Sequence, residues 1–324
     1  MLTAKDIRGV YPMMITPATP DAGSWRTEFS VNLEESARVA KAFVASGCGG
    51  LALNGTTGEC AALLWEEKLQ FTDTVVQSVN HRIPVFAGCT SLGTKETIRQ
   101  MRAARALGAE GAFVGLPLWQ TPTMENMVQW YADLSEAVPD MGIMVYSNEM
   151  FFKSNFPAPF WYGVAQKAPT VITCKITSSA IVTNFLDLVE RTGNRITYIP
   201  SQGGQALMLW KIAPDHVNGL WATRANAGPE PLVALSDALE ANDEKRMREV
   251  LADMAKVPGH AADFSKFNQY NIQAERMQAT YSDFMKPGPL RPPYTDVPED
   301  WRAAGERAGK GWAELRKKYM KVRA

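Results

Sequence analysis

The sequence predicts an α/β fold, a TIM (β/α)8 barrel with additional C-terminal helices, and three observations carry that prediction. Eight short apolar runs alternate with longer amphipathic stretches between residue 9 and about residue 225. Each run is nearly continuously apolar, as a parallel strand covered on both faces should be, rather than alternating like a half-exposed antiparallel strand. No G-x-G-x-x-G follows the first run, which weakens the alternative of a doubly wound sheet. Eight βα units in 324 residues match one barrel.

In order, the strands are expected at Gly9 to Thr16, Gly50 to Asn54, Pro84 to Cys89, Ala112 to Leu116, Gly142 to Tyr146, Val171 to Ile176, Ile196 to Pro200 and Val217 to Ala222. The intervening stretches carry charged faces and read as helices: Asn32 to Ser46, Trp65 to Asn80, Thr94 to Leu107, Met124 to Ala137, Pro157 to Lys167, Ser179 to Arg191, Gln205 to Ile212 and Glu230 to Ala241. From Asn242 onward the pattern is helical only, broken at Lys286-Pro287-Gly288-Pro289 and at Arg291-Pro292-Pro293. The expected organisation is therefore a catalytic barrel over residues 1–241 and a helical extension over 242–324 packed on it. The last helix, about Asp300 to Lys321, carries Arg316, Lys317, Lys318 and Lys321, which read as a solvated face balanced by acidic residues elsewhere.

Composition narrows the function. Lys and Arg number 34 against 34 Asp and Glu, so the counterion-release footprint of a nucleic-acid binder is missing. Cys48, Cys60, Cys89 and Cys174 form no C-x-x-C pair and lie far from His81, His216 and His260, which argues against a zinc site or a disulfide framework. No stretch of about 18 apolar residues occurs, and the N-terminus has no long apolar region. The expectation is a cytoplasmic protein with a small-molecule substrate and neither nucleic-acid nor membrane partners.

In a barrel the chemistry sits at the carboxyl ends of the strands. There, Val171-Ile172-Thr173-Cys174-Lys175-Ile176-Thr177 places an ammonium in an apolar strand, where it must be desolvated, paired or neutral. A lysine of lowered pKa is a Schiff-base nucleophile, and the competing reading is a stem that packs while its head reaches solvent. The preceding strand ends Met144-Val145-Tyr146-Ser147-Asn148, offering Tyr146 as a proton shuttle beside an imine, although a strand tyrosine is more often core or rim. After the second strand, Asn54-Gly55-Thr56-Thr57-Gly58-Glu59 presents two hydroxyls and backbone N–H groups to an anion such as a small carboxylate. Ser201-Gln202-Gly203-Gly204 opens the helix after the seventh strand, where a phosphate sits in many barrels, and this supports a rival: an aldolase or isomerase of phosphorylated sugars.

With these residues in that order and spacing, the chain resembles, over essentially its whole length, the pyruvate-dependent class I aldolases of the dihydrodipicolinate synthase and N-acetylneuraminate lyase superfamily. Within it, Trp25-Arg26, Pro117-Leu118-Trp119, Phe160-Trp161, Tyr270-Asn271-Ile272 and Gly288-Pro289-Leu290-Arg291-Pro292-Pro293-Tyr294 resemble the hydratase-aldolases of aromatic hydrocarbon catabolism. These act on trans-o-hydroxybenzylidenepyruvate or trans-2'-carboxybenzalpyruvate. The resemblance implies Lys175 as the Schiff-base lysine, Tyr146 as the proton shuttle, and Thr56 and Thr57, beside Gly55, as the loop holding the pyruvate carboxylate. It also implies a homotetramer and no cofactor beyond the covalent Schiff base at Lys175.

Departures from the synthase pattern shape the substrate expectation. Trp119 stands where the synthase has a tyrosine contributed across a subunit contact, and an indole cannot relay a proton as a phenol does. Ser147-Asn148-Glu149-Met150-Phe151-Phe152-Lys153 lacks the synthase's arginine, for which Lys153 could partly substitute. Trp119, Trp221, Phe151 and Phe152 imply an aromatic-lined pocket, with Asn271 gripping the ring substituent or the attacking water. Where the hydroxybenzylidene enzymes tend to have a histidine, this chain has Ser201 and Gln202, so the ortho group stays open between hydroxyl and carboxylate. The leading expectation is a class I hydratase-aldolase, a lyase that cleaves an arylidene pyruvate to an aromatic aldehyde and pyruvate. The alternatives are a sugar-acid lyase, a dihydrodipicolinate-type synthase, or a non-catalytic barrel that binds a keto acid as a sensor. Roles for Glu59 and Arg224, functional or anchoring, are left open.

Overall fold

The strands are short: β1 (Gly9–Tyr11), β2 (Leu51–Ala52), β3 (Val85–Gly88), β4 (Gly111–Val114), β5 (Gly142–Tyr146), β6 (Val171–Lys175), β7 (Thr197–Ile199) and β8 (Gly219–Trp221). All fall within the eight expected runs except β4, which starts one residue early. The computed structural model describes residues 1–176 and 179–320; Thr177, just after the sixth run, and Lys321 of the last helix lie outside them. β2 to β7 pair in parallel in chain order, and β1 pairs in parallel with β8. Single parallel bridges, Met13 with Ala52 and Ser201 with Trp221, join these two sheets on both sides. Closure into a ring excludes the doubly wound alternative, whose open sheet has two edges.

The helices are α1 (Leu33–Ala45), α2 (Trp65–Val79), α3 (Thr94–Ala106), α4 (Met124–Ala137), α5 (Glu149–Phe152), α6 (Ala158–Lys167), α7 (Ser179–Thr183), α8 (Phe185–Thr192), α9 (Gly204–Ile212), α10 (Glu230–Glu240), α11 (Glu244–Ala255), α12 (Phe267–Thr280) and α13 (Glu299–Met320). Side-chain caps start several: Asn32 accepts from Glu35 N, Thr123 from Asn126 N and Asp243 from Arg246 N. Apolar residues at helical spacing then turn inward, as Val39, Ala40 and Phe43 do on α1 and Phe71, Val75 and Val79 on α2. Two differences from the expected pattern appear. The single helix expected over Ser179 to Arg191 is two, α7 and α8, and the unexpected α5 forms one turn where Asn148 caps Phe151 N.

Beyond α10, α12 and α13 pack closely. A Cβ at Gly305 would meet Met277 Cβ at 2.3 Å, and one at Gly309 would meet the Gln278 carbonyl at 2.5 Å. Trp301 and Trp312 are buried, and Trp312 Nε1 donates to the Gly228 carbonyl at 2.8 Å, fastening α13 beside the loop after β8. α12 thereby lies across the carboxyl ends of the strands, so its side chains join the loops that carry the candidate chemistry. Among the described residues no helix is long and apolar enough to cross a membrane.

Candidate active site

β5 and β6 set the centre of the site. Their register slips between Ile143 and Met144, so that Ile143 faces Val171 while Met144 faces Thr173, and Tyr146 comes to face Lys175. Without that irregularity Cys174 would stand opposite Tyr146, because strand neighbours in register share a face. Ser147 Oγ donates to the Lys175 carbonyl, locking the two strand ends together.

Lys175 is 8% exposed. Its Nζ lies 4.9 Å from the Tyr146 ring centre and 4.7 Å from that of Trp221, and among the described residues it has no hydrogen-bond acceptor. Burial pushes its pKa down from 10.5 to about 8, against partial opposition from Glu275. The amine is therefore held between two aromatic faces, which attract the cation only weakly, and spends an appreciable fraction of its time neutral.

Tyr146 is built in from several sides. Phe113 stacks on it at 4.4 Å, and Phe152 of α5 meets it edge-on at 5.1 Å. Gly115 makes room for that contact, since a Cβ there would sit 1.9 Å from the Phe152 ring. The Tyr146 hydroxyl lies 2.9 Å from Thr56 Oγ1 and accepts from Asn148 Nδ2 at 3.3 Å. Burial raises its pKa to about 12, which those two hydrogen bonds reduce only partly, so the phenol is neutral at neutral pH and available as a donor.

Two cavities open at this end of the barrel. One, of about 470 Å³, is lined by Lys175, Tyr146, Thr57, Ser201, Gln202, Trp221 and Asn271 among others. The other, of about 330 Å³, holds Gly55 and Thr56 and shares Tyr146, Phe151 and Asn271 with the first. Nine of the ten residues expected at the site are thus brought to this pair of cavities. Trp119 is not: its indole is 88% exposed and lines neither. Lys153, offered as a stand-in for the synthase's arginine, is exposed at the end of α5 and lines neither cavity.

The phosphate reading at Ser201-Gln202 meets an obstacle. Ser201 N donates to Gln205 Oε1 at 2.8 Å, and Gln202 N to the Trp221 carbonyl at 2.9 Å, so two of the N–H groups such a site would use are already engaged. Gln202 in turn accepts from Arg224 N through Oε1, and Ser201 Oγ donates to the Ile176 carbonyl.

Glu59 anchors its loop. It is fully buried and receives Arg276 Nη2, Arg291 Nη1 at 2.6 Å and Arg291 N at 2.9 Å. Arg291 also binds Ser30 Oγ and the Pro17 and Ser30 carbonyls, tying the Gly288-to-Tyr294 segment to the loop that carries Thr56 and Thr57.

Residues absent from the expected set also line the Lys175 cavity: Asn148, Met150, Thr223, Phe264, Phe267 and Glu275. Asn148 was findable two positions after Tyr146. Glu275 was findable one helical turn after Asn271, since i and i+4 share a helix face.

Comparison with known proteins places this arrangement. The Dihydrodipicolinate synthetase family model matches residues 7–308. The chain is 37% identical over 325 residues to the trans-O-hydroxybenzylidenepyruvate hydratase-aldolase of Pseudomonas aeruginosa, covering 98% of this chain and 96% of that one. It is 33% identical over 326 residues to the trans-2'-carboxybenzalpyruvate hydratase-aldolase of Nocardioides sp. strain KP7, covering 98% and 97%. The solved structure of PhdJ bound to a substrate intermediate superposes with a TM-score of 0.92 at 36% identity, covering 98% of this chain and 99% of that one. With the barrel closed and the family model spanning nearly all of it, the chain belongs to the dihydrodipicolinate synthetase family.

Proposed function

We propose that the protein is a Schiff-base-forming hydratase-aldolase, a lyase that hydrates and cleaves an arylidene pyruvate to an aromatic aldehyde and pyruvate. One observation carries the reading: a buried lysine with no hydrogen-bond acceptor among the described residues, its pKa lowered to about 8, stands in register with a tyrosine bonded to Thr56. The 37% identity to a hydratase-aldolase over nearly the full chain supports the same assignment.

In this reaction the Lys175 amine adds to the 2-keto carbon, and Tyr146 donates the proton that lets the carbinolamine lose water. The iminium draws electrons through the conjugated alkene, water adds at the carbon bearing the aryl group, and the C–C bond then breaks toward the same iminium. Because the iminium is the electron sink, the chemistry itself calls for no metal or redox cofactor. Thr57 in the Lys175 cavity, with Gly55 and Thr56 behind it, would hold the pyruvate carboxylate, and Asn271 would bind the attacking water or the ring substituent. Trp221, Phe151, Phe264 and Phe267 give the cavity aromatic walls that suit an aryl group better than a polyhydroxylated chain.

The homotetramer expected from the resemblance belongs to this proposal. Leu92, Leu118 and Trp119 are exposed on the loops after the neighbouring strands β3 and β4, where a second copy would cover them. A cytoplasmic setting suits the four free thiols.

The deciding experiment incubates the protein with trans-o-hydroxybenzylidenepyruvate and with trans-2'-carboxybenzalpyruvate, then maps the borohydride-trapped pyruvate adduct by mass spectrometry. Release of aromatic aldehyde from either, with the adduct on Lys175, is the expected result. Binding of pyruvate without any adduct would overturn the Schiff base and favour a keto-acid sensor. An adduct with turnover only of sugar acids or aspartate semialdehyde would overturn the substrate class.

A further inference from the structure

Hydration of an arylidene pyruvate needs a base for the attacking water, and the cleavage that follows needs one for the new hydroxyl. Tyr146 does not start as that base: a neutral phenol accepts a proton only by giving up its own. The Lys175 cavity contains a group that starts with the capacity. Glu275 is 5% exposed and lines the cavity from α12, one turn after Asn271.

Its surroundings aim it rather than saturate it. Thr223 Oγ1 donates to Glu275 Oε1 at 2.8 Å, and His260 Nε2 lies 3.5 Å from the same oxygen. Among the described residues, Oε2 takes no hydrogen bond. The Arg224 guanidinium, seated over the Trp312 ring at 5.0 Å, adds positive charge nearby without pairing to the carboxylate. Burial alone would raise the Glu275 pKa, but His260, Thr223 and Arg224 together hold it below the usual value, so it rests ionised. A carboxylate that only fastened α12 would use both oxygens, as Glu59 does, its Oε2 taking the Arg276 and Arg291 guanidiniums and its Oε1 the Arg291 backbone N–H.

We propose that Glu275, oriented by Thr223 and His260, is the catalytic base for both water addition and carbon–carbon cleavage, an inference that rests on the hydratase-aldolase reading. In the addition, Glu275 takes a proton from water as the oxygen bonds to the aryl-bearing carbon, and the alkene electrons move into the iminium to give an enamine. The protonated carboxyl then returns the proton to the adjacent carbon, which restores the iminium and the carboxylate and completes the net addition of H and OH. In the cleavage, Glu275 takes the hydroxyl proton, the oxygen electrons form the aldehyde carbonyl, and the electrons of the broken C–C bond pass to the iminium. Thr223 and His260 are positioning residues in this scheme.

The test compares wild type, Glu275→Gln and Thr223→Val by steady-state turnover of an arylidene pyruvate and by borohydride trapping of pyruvate on Lys175. Glu275→Gln keeps the size of the side chain and its bond to Thr223. Its kcat should fall by at least about 100-fold, within the range of a lost general base, with KM changed by less than about threefold and the trapped adduct at the wild-type level. Thr223→Val, which keeps the carboxylate but frees it to turn, should lose roughly five- to tenfold in kcat, a fraction of a full general-base effect, with the adduct intact. A Glu275→Gln enzyme with a normal adduct and kcat within about threefold of wild type would overturn the proposal. Should Glu275→Gln form no adduct because its site is disrupted, the Thr223→Val enzyme decides, and an unchanged kcat there overturns it. Failure of the wild type to form an adduct would instead bring down the hydratase-aldolase reading, and this inference with it.

Discussion

Glu59 and Lys175 are both buried at the mouth of the barrel, 0% and 8% exposed, yet they keep opposite company. Glu59 is met by two arginines and a backbone N–H, and those arginines also bond to Ser30 and to the carbonyls of Thr16, Pro17 and Pro287, with only Arg276 Nε left without a partner among the described residues. Lys175 has two ring faces and no acceptor among the described residues. In the first region opposite charges face each other, and Arg276, though pushed down by burial to about 10, stays charged at neutral pH. In the second, burial brings the amine down to about 8, within reach of neutral pH. Burial is thus offset by hydrogen bonds at Glu59 and, among the described residues, is not so offset at the Lys175 amine.

Lys175→Met should break the contrast most visibly. Turnover should fall by more than about 10^4-fold, beyond the range of a lost acid–base group, because no other amine replaces the electrophile-forming one. Steady-state assay with borohydride trapping checks it. The same variant should unfold at higher denaturant concentration. A pKa lowered from 10.5 to about 8 corresponds to roughly 3 kcal/mol of destabilisation of wild type. That penalty is full below about pH 8 and vanishes as pH rises toward 10.5, so the stability advantage of Lys175→Met should shrink over that window. In wild type, the rate of adduct formation should rise about tenfold per pH unit up to pH ~8 and level off above it, since the neutral amine is the reactive form.

Glu59→Gln should do the reverse. Leaving Arg276 and Arg291 buried without their carboxylate should cost about 3–5 kcal/mol of stability by denaturant titration, while adduct formation per folded molecule stays near wild type. Tyr146→Phe sharpens the comparison from within the site. The ring keeps its stacking on Phe113, the hydroxyl bonded to Thr56 is lost, and kcat should fall about 10²- to 10³-fold in the same assay. The smallest effect is expected at the surface, where Asp253 is shared by Lys318, Lys256 and Tyr319. Lys318 is largely exposed, and Lys318→Ala should cost under about 1 kcal/mol, because solvent screens what it would otherwise supply.

Much of this contrast was legible before folding. A lysine in the run Val171 to Ile176 and a tyrosine ending the run before it are conspicuous because the other residues there are apolar or small, and Gly55-Thr56-Thr57 stands out as a hydroxyl pair beside a glycine. The anchoring role of Glu59 was not legible, since its partners Arg276 and Arg291 lie more than two hundred residues away and read as ordinary helix and loop charges. Trp119 illustrates the converse. Its sequence neighbourhood resembles a site segment, but the loop after β4 carries the indole out of both cavities. Glu275 follows Asn271 by one helical turn, and the passage of α12 over the strand ends brings both to the cavity that holds Lys175.

The sequence by itself determined the eight βα units, because near-continuous apolar runs bury on both faces as parallel strands under helices, and it determined which strand ends carry an amine, a phenol and a hydroxyl pair. Tertiary structure alone decided which of these meet. A one-residue slip between β5 and β6 puts Lys175 rather than Cys174 beside Tyr146. That slip is a property of two strands held in one ring, and no pattern local to either strand encodes it.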